Sequence, residues 1–190
     1  MDLYEAIENR RSHRLYKPDP VPRQVLEKII QAALWAPSGT NQQPWDLTVL
    51  TGAPRDEFVA LASAAFGDLE PRLRALFDEA RVGFVKQFFS NLGGAPVVIA
   101  VTVWKDADPM AQEAHIQSGA ALMQNLLLAA HAEGLGTCWM TGIKSREKEL
   151  LAYLGLPDRH LLAITPVGYS AKTPPLVPRK DRPVRWLGFE

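Results

Sequence analysis

The 190-residue chain has one cysteine, Cys138, and no excess of either charge, since 21 Lys and Arg residues balance 21 Asp and Glu residues. A single cysteine excludes an internal disulfide framework and fits a reducing compartment. A neutral chain lacks the broad positive field that attracts nucleic acid or anionic membranes, so we expect neither as a partner. No apolar run approaches membrane-spanning length, and the acidic start of the chain does not resemble a secretory signal. We therefore expect a cytoplasmic protein.

Several signatures of catalysis are also missing. The four histidines are scattered without the spacing of a zinc site. There is no Gly-x-Ser-x-Gly turn and no Walker loop. Gly134-x-Gly136 follows a predicted helix, and Trp139 stands where a dinucleotide-binding loop needs its third glycine. Cys138 has no basic neighbour in sequence, which favours a small buried hydrophobe over a nucleophile. We expect no metal site and no catalytic side chain.

What is present indicates one α+β domain over residues 1–190. Hydrophobic residues make up 47% and charged residues 22%, as in ordinary globular proteins. Helices outnumber strands and do not alternate strictly with them, which favours α+β over a doubly wound sheet. Capping and periodicity predict helices that run to about residue 10, from Pro22 to Trp35, over 54–66, 70–90 and 145–154, and from a cap at Asp108 to about Glu133. Strands are predicted at 45–50, 97–103 and 160–167, the second of them buried on both faces.

The first polar feature is Arg10-Arg11-Ser12-His13-Arg14, at the end of the first predicted helix. Guanidinium groups stay charged at any working pH and offer a planar fork of donors, which suits a phosphate. The alternative is a solvated basic face, and from these residues alone both interpretations remain open.

Three further segments have unusual composition. The Pro37-Ser38-Gly39-Thr40-Asn41 segment between a helix and a strand is either a plain loop or a place where backbone donors approach a ligand. Phe84, Phe88 and Phe89 form core or cover a pocket, and the sequence does not decide between the two. From about residue 173 the chain becomes a basic, proline-rich arm with an apolar end, which favours docking on a neighbouring subunit.

An anion-binding cluster, two special loops and a basic arm, without an acid, base or nucleophile, suit a protein whose chemistry belongs to a bound cofactor. An anionic cofactor with a flat ring system would use all of these parts, which points to FMN.

Four motifs in order strongly resemble the nitroreductase family, in its shorter branch. They are Arg10-Arg11-Ser12-x-Arg14-x-Tyr16, Ala36-Pro37-Ser38-Gly39-x-Asn41-x-Gln43-Pro44-Trp45, Gly93-Gly94-Ala95-Pro96-Val97-Val98 and Gly134-Leu135-Gly136-Thr137-Cys138-Trp139. The resemblance implies an intertwined homodimer with a central mixed or antiparallel sheet surrounded by helices. It also implies two FMN molecules at the subunit interface.

The resemblance further implies roles for individual residues. Arg10 and Ser12, assisted by Arg11, would bind the phosphate and ribityl chain, and Arg14 would approach the pyrimidine edge. The arm would complete the phosphate site, by Arg179 or Lys180 in preference to Arg182. Larger members carry an asparagine and a lysine near the ring, and Lys86 and Asn91 stay unassigned. The other implied cofactor contacts are Pro37, Ser38, Gly39 and Asn41, reaching the partner's flavin, and Trp139, Met140, Thr141 and Gly142 along the ring.

The activity implied is that of an FMN-dependent NAD(P)H oxidoreductase. NADH or NADPH would deliver hydride to flavin N5, and a nitroaromatic, quinone or similar small molecule would then accept it. The first alternative is a specialised flavoenzyme of the same fold, such as a reductive dehalogenase, an enone or ring reductase, or a dehydrogenase. The second is a non-catalytic flavin-binding module.

Overall fold

The computed structural model describes residues 1–188; the two last residues of the predicted arm, Phe189 and Glu190, lie outside the described part. Seven α-helices and four strands follow one another along the chain. The helices are α1 (Leu3–Asn9), α2 (Arg23–Leu34), α3 (Gly52–Ser63), α4 (Ala65–Leu76), α5 (Glu79–Asn91), α6 (Pro109–Ala132) and α7 (Glu147–Tyr153). The strands are β1 (Trp45–Thr51), β2 (Val97–Trp104), β3 (Gly136–Thr137) and β4 (Arg159–Gly168).

The four strands form one sheet in the order β1-β2-β4-β3, and each neighbouring pair runs antiparallel. The predicted α+β class with a central sheet is therefore confirmed, and the sheet is antiparallel rather than mixed. Trp45 of β1 lies opposite Val103 of β2. At the other end of β2, Val97 pairs with Val167 of β4, which also pairs with Thr137 of β3.

Helices cover both faces of the sheet, which explains the unbroken apolar sequence of β2. Val98 and Ala100 point into a core that contains Phe58 of α3 and Phe88 of α5. The alternate residues of β2 point into a second core formed mainly with α2 and α6. A strand that is buried on both faces reads as a continuous hydrophobic run, as predicted.

Several predicted helix ends are confirmed in detail. The Asp2 side chain accepts from the Glu5 N–H at 2.9 Å, and the Asp108 side chain accepts from the Met110 N–H at 3.2 Å. Gly134, at φ +77°, follows the last turn of α6. These contacts are local, which is why the sequence predicts them.

Several helix boundaries and one strand differ from prediction. Helix α3 ends at Ser63 and α4 begins at Ala65, where the sequence predicts one helix over 54–66 and the next from residue 70. Pro22 caps α2 rather than opening it. The predicted helix over 70–90 is two helices, because Phe77 is extended and Asp78 caps α5 through the Arg81 N–H. The short strand β3 was not predicted, since two residues carry no periodicity.

Two further features concern the surface. None of the helices in residues 1–188 is long and apolar enough to cross a membrane. Residues 173–188 form neither helix nor strand. They expose several large apolar side chains, namely Leu176, Val177, Val184, Trp186 and Leu187.

Candidate active site

The arginine cluster, Arg10–Arg14, is held in an extended conformation at one end of the sheet. Ser12 forms a parallel bridge with Thr137 of β3, and the His13 N–H donates to the Thr137 carbonyl at 2.8 Å. Arg11 donates to the carbonyl of Arg10 at 2.8 Å. The cluster is thus fixed by backbone pairing and is not a freely solvated basic face.

Gly93 supports the far end of the cluster. Its carbonyl accepts from the Tyr16 N–H at 2.9 Å. A Cβ atom on Gly93 would lie 2.2 Å from the Arg14 carbonyl oxygen, and the residue has φ +67°. Only glycine meets both conditions, which gives a physical reason for the Gly93-Gly94 motif.

His13 and Tyr16 alternate with the arginines and turn into the protein. The buried Tyr16 hydroxyl donates to the His13 carbonyl at 2.7 Å. The His13 Nδ1 lies 2.6 Å from Ser170 Oγ, and its ring packs where a side chain at Gly136 would stand. His13 therefore attaches the cluster to the segment that follows β4 and does not face the cavity.

A cavity of about 370 Å³ opens beside the cluster. None of its lining residues is acidic, so every formal charge that faces it is positive. The arm closes one side, and of its basic residues Arg179 lines this cavity. The full lining is Arg10, Arg11, Ser12, Arg14, Pro174, Pro175, Val177 and Arg179.

The electrostatics of this cavity favour an anion. The pKa of Arg10 is lowered by burial and further by the positive charges of Arg179 and Arg11. Like charges held together destabilise one another unless an opposite charge lies between them. A phosphate group supplies that charge and accepts several hydrogen bonds at once, so the donors present fit one.

Cys138 lies directly beneath the cluster and is 2% exposed. Burial raises the pKa of its thiol, although Arg14, Ser12 and Arg10 act in the opposite direction. An inaccessible, protonated thiol is a poor nucleophile, which agrees with the prediction of a small buried hydrophobe.

Two smaller cavities continue the first one past Arg14. One of about 250 Å³ is shared by Ser12, Phe84 and Lys172, and another of about 110 Å³ reaches Gln87 and Asn91. Arg14 lines all three and lies 6.0 Å from the ring centre of Phe88. Together they form a groove that starts at the cationic cavity and ends against aromatic side chains.

The structure locates the aromatic residues, the lysine and the asparagine whose roles the sequence did not decide. Phe84 is 44% exposed and lines the groove. Phe88 is buried but also lines it, whereas Phe89 is buried in the core and lines none of the three cavities. Asn91 lines the groove and accepts from the Gly93 N–H at 3.0 Å. Lys86 lies 6.0 Å from the ring centre of Phe66 instead.

The segment Trp139–Gly142 lies on the same side of the molecule. Met140 exchanges two backbone hydrogen bonds with Ile164 of β4, and Thr141 behind it is exposed. A Cβ on Gly142 would contact Leu69 and Phe89, at 2.9 and 3.1 Å. Because Phe89 packs against Phe88, which lies under Arg14, this segment and the groove share one aromatic support.

The Pro37–Asn41 loop lies elsewhere. It precedes β1, whose first residue pairs with Val103, whereas the cluster adjoins the opposite end of β2. Eight strand residues span about 23 Å, so the two regions of one chain do not share a small ligand. Gly39 and Thr40 instead line a cavity of about 380 Å³ with Trp104 and His115.

The loop conformation is unusual. Thr40, Asn41 and Gln43 all have positive φ, between 49° and 56°, although none is glycine. The Gln43 N–H donates to Ser38 Oγ at 3.0 Å, and Gln42 Oε1 lies 3.3 Å from the His115 ring Nε2. Backbone strain of this kind persists only where contacts over-determine it, and it concentrates at functional sites.

The match with a known family agrees with this geometry. The sequence model of the Nitroreductase family matches residues 7–169. The chain belongs to the nitroreductase family. The predicted family and fold are thereby confirmed.

Individual relatives cover nearly the whole chain. A protein named NADH dehydrogenase from Thermus thermophilus is 32% identical, over 90% of this chain and 88% of the relative. One named iodotyrosine deiodinase from Thermotoga neapolitana is 30% identical, over 98% of each. Among solved structures, an FMN- and NADPH-dependent nitroreductase from Sphigopyxis sp. strain HMH superposes with a TM-score of 0.81, at 25% identity and over all of both chains.

Among residues 1–188, no three His, Cys, Asp or Glu side chains are grouped so that they could hold a metal ion. Sequence reasoning missed Pro174, Pro175, Val177, Lys172, Leu15 and Gln87 as lining residues. Their only signal was proximity to the arm or to the aromatic cluster, and proximity does not show which side chains point inward.

Proposed function

We propose that the protein is a homodimeric, FMN-dependent NAD(P)H oxidoreductase that reduces nitroaromatic, quinone or similar acceptors. The observation that carries the proposal is the groove that begins among Arg10, Arg11, Ser12 and Arg179 and continues past Arg14. All formal charges at its start are positive and its far end is aromatic, which suits a phosphate joined to a flat ring system.

At the cationic end, Arg10 and Arg11 would bind the FMN phosphate and Ser12 would bind phosphate or ribityl oxygens. Arg179 lies close enough to affect Arg10 electrostatically and lines the same cavity. We assign the arm's contribution to Arg179 over Lys180 and Arg182, because neither of those lines the cavity.

At the other end, Arg14 would lie beside the flavin pyrimidine, where a cation stabilises the negative charge of a reduced ring. Trp139, Met140, Thr141 and Gly142 would follow the ring edge. The Met140 backbone is already paired with Ile164, so the next N–H along, that of Thr141, would be the donor towards N5.

A second copy of the chain would complete the site. The Pro37–Asn41 loop lies about 23 Å along the sheet from its own cluster, so it reaches a flavin only if that flavin is bound by a partner. The exposed side chains of Tyr4 (76%) and Trp35 (87%), and the apolar residues of the arm, would be covered in that dimer.

Hydride transfer between the nicotinamide donor and the acceptor is the chemistry that FMN would supply in this groove. The chain's own side chains would anchor, orient and tune the cofactor, and none need act as an acid or base. The groove wall at Phe84 would limit the size of the acceptor that stacks there.

The relative named iodotyrosine deiodinase, which aligns over 98% of both chains, supports a second candidate. A specialised reductive dehalogenase of this fold would use the same cofactor with a narrower acceptor range. Rapid turnover of halotyrosines and slow turnover of nitrofurans and quinones would select this candidate.

The decisive experiment is to purify the protein, load it with FMN and add NADH or NADPH without oxygen. We expect a yellow dimer whose absorbance near 450 nm, the usual flavin band, bleaches and returns when an acceptor is added. A protein that takes up no FMN, or binds it without bleaching, would overturn the proposal.

A further inference from the structure

A second basic pocket lies at the opposite end of the sheet from the arginine cluster. It has a volume of about 590 Å³, and its polar lining consists of Lys105, Lys144, Lys148 and Arg159, with Ser145 and one carboxylate, Glu147. Arg159 opens β4, whereas the cluster adjoins Val167 near the strand's end. The nine residues from Arg159 to Val167 place the two sites roughly 26 Å apart.

The single carboxylate in this basic pocket, that of Glu147, already has partners within the protein. Glu147 Oε1 accepts from the Leu161 N–H at 2.7 Å and lies 3.0 Å from His160 Nδ1. The other ring nitrogen of His160, Nε2, lies 3.0 Å from the Lys144 ammonium. Lys144 therefore donates to neutral His160, which donates to Glu147, and two N–H groups of the ammonium are left for a ligand.

The remaining cations are not neutralised within the pocket. Lys105 and Lys148 are exposed and form no ion pair with any residue in 1–188. Arg159 is paired with Asp46, a residue of β1 that is not part of the pocket wall. Because the chain as a whole has no net charge, the four cations in this pocket are a local concentration of positive charge and do not reflect a general basic composition.

We propose that this basic pocket binds a phosphate dianion, either free or as a phosphomonoester. Lys105 and Lys148, which form no ion pair within residues 1–188, supply donors together with Lys144, which is held by a histidine, and Arg159, which is paired with Asp46. A carboxylate would use only part of this donor set, whereas a phosphate has enough oxygens to engage all of it.

Binding is coupled to the protonation of His160. Burial lowers the pKa of His160, Glu147 raises it, and Lys144 and Lys105 lower it further. A bound dianion offsets the lysine charges, and those of Lys148 and Arg159, and so raises the pKa of His160. The complex therefore takes up protons at His160, and the affinity for an anion of fixed charge increases as the pH falls through the raised pKa of His160 in the complex.

The test is calorimetric titration of inorganic phosphate into the FMN-loaded protein, whose first anion site is occupied. We expect one site that the double substitution Lys105→Gln/Lys148→Gln weakens at least tenfold. The control is Lys28→Gln, which removes an exposed lysine of α2 that is paired with Glu133 outside the pocket. Absence of binding, equal affinity in the double variant, or displacement of the phosphate by added FMN would overturn the proposal.

Sulfate, whose charge does not change near neutral pH, reports the proton coupling separately. Its affinity should rise on acidification in the parent protein and stay flat in His160→Gln. An equal pH dependence in both proteins contradicts the coupling.

Steady-state kinetics then identifies the source of the phosphate, and only this measurement rests on the proposed function. NADPH carries a phosphomonoester that NADH lacks. If the double variant raises KM for NADPH alone, the pocket binds the donor; if both KM values are unchanged, it binds free phosphate or a separate metabolite. Either result supports the site, provided that the double variant has lost phosphate binding. That binding can be measured even if the protein has no activity.

Discussion

The two regions that one chain contributes to the proposed site differ in how they are built. The arginine cluster is paired with β3 and fixed by Gly93 and Ser170, and its arginines line a groove. The Pro37–Asn41 loop is largely exposed and strained, and a hydrogen bond between the adjacent Gln42 and His115 connects it to α6. A region that binds alone needs rigidity, whereas a region that completes a partner's site needs only to be presented to it.

The largest effect should come from removing the support of the cluster. Gly93→Ala places a Cβ 2.2 Å from the Arg14 carbonyl at a positive φ, so we expect a loss of about 3 kcal/mol in unfolding free energy. FMN affinity should fall as well, because Arg14 is displaced.

The matched control is Gly83→Ala in α5, where an added Cβ meets nothing within 4 Å. This substitution should stabilise the helix by about 0.5–1 kcal/mol. Urea unfolding of both variants measures the contrast, and equal stability would show that the close approach to Arg14 is unimportant.

Removal of a charge from the cluster should have the next largest effect. Arg10→Ala would lose about two charge-assisted hydrogen bonds to phosphate, which corresponds to roughly 100-fold weaker FMN binding. Fluorescence titration with FMN measures it, and Arg10→Lys should recover part of the loss. The control Arg23→Ala removes an exposed arginine of α2 paired only with Glu27. If both alanine variants bind FMN equally, the cluster is not the phosphate site.

A smaller effect is expected at the loop. His115→Ala removes the contact with Gln42 and should speed FMN dissociation about fivefold, in keeping with one hydrogen bond of about 1 kcal/mol. The substitution should also lower the unfolding free energy by about 2 kcal/mol, because His115 is 7% exposed and its ring packs edge-on against Trp104, and His115→Gln should restore part of both effects. Met110→Ala, on an exposed face of the same helix, is the control. A purely structural role of His115 would lower stability without changing the dissociation rate.

The smallest effect should appear in the pH dependence of stability. Burial is the main cause that lowers the pKa of His13, His131 and His160. Below about pH 6.5 the unfolded chain therefore binds more protons than the native state does. The histidine contribution to stability is complete above that pH and decreases as the pH falls below it.

Bound FMN should weaken this dependence, since positive charges on Arg10 and Arg11 contribute to the shift at His131 and a phosphate offsets them. Thermal unfolding of the apo and the FMN-loaded protein across pH measures this difference. A drop of equal size in both forms would separate His131 from the phosphate site.

Features that depend on near neighbours in sequence were predictable. The caps at Asp2 and Asp108 and the buried strand β2 follow from local patterns and are confirmed. The interruption at Phe77 was missed because apolar residues continue across it.

The distant contacts could not be predicted. Nothing local shows that Gly93 touches Arg14, that Arg159 pairs with Asp46, or that Lys105 and Lys148 share a pocket. These depend on strand order and register, which the order of elements along the chain does not determine. The role of the loop and the docking of the arm on a neighbouring subunit stay predictions, because both concern a second copy of the chain.

The bridge between Ser12 and Thr137 has a consequence for synthesis of the chain. Arg10 and Arg11 leave the ribosome long before β3 at residues 136–137, and Ser170 and Arg179 follow later still. Domains fold as translation delivers their parts, and a closure over so many residues must wait for the last of them. A nascent chain therefore cannot capture the cofactor prematurely, and truncated products should emerge colourless.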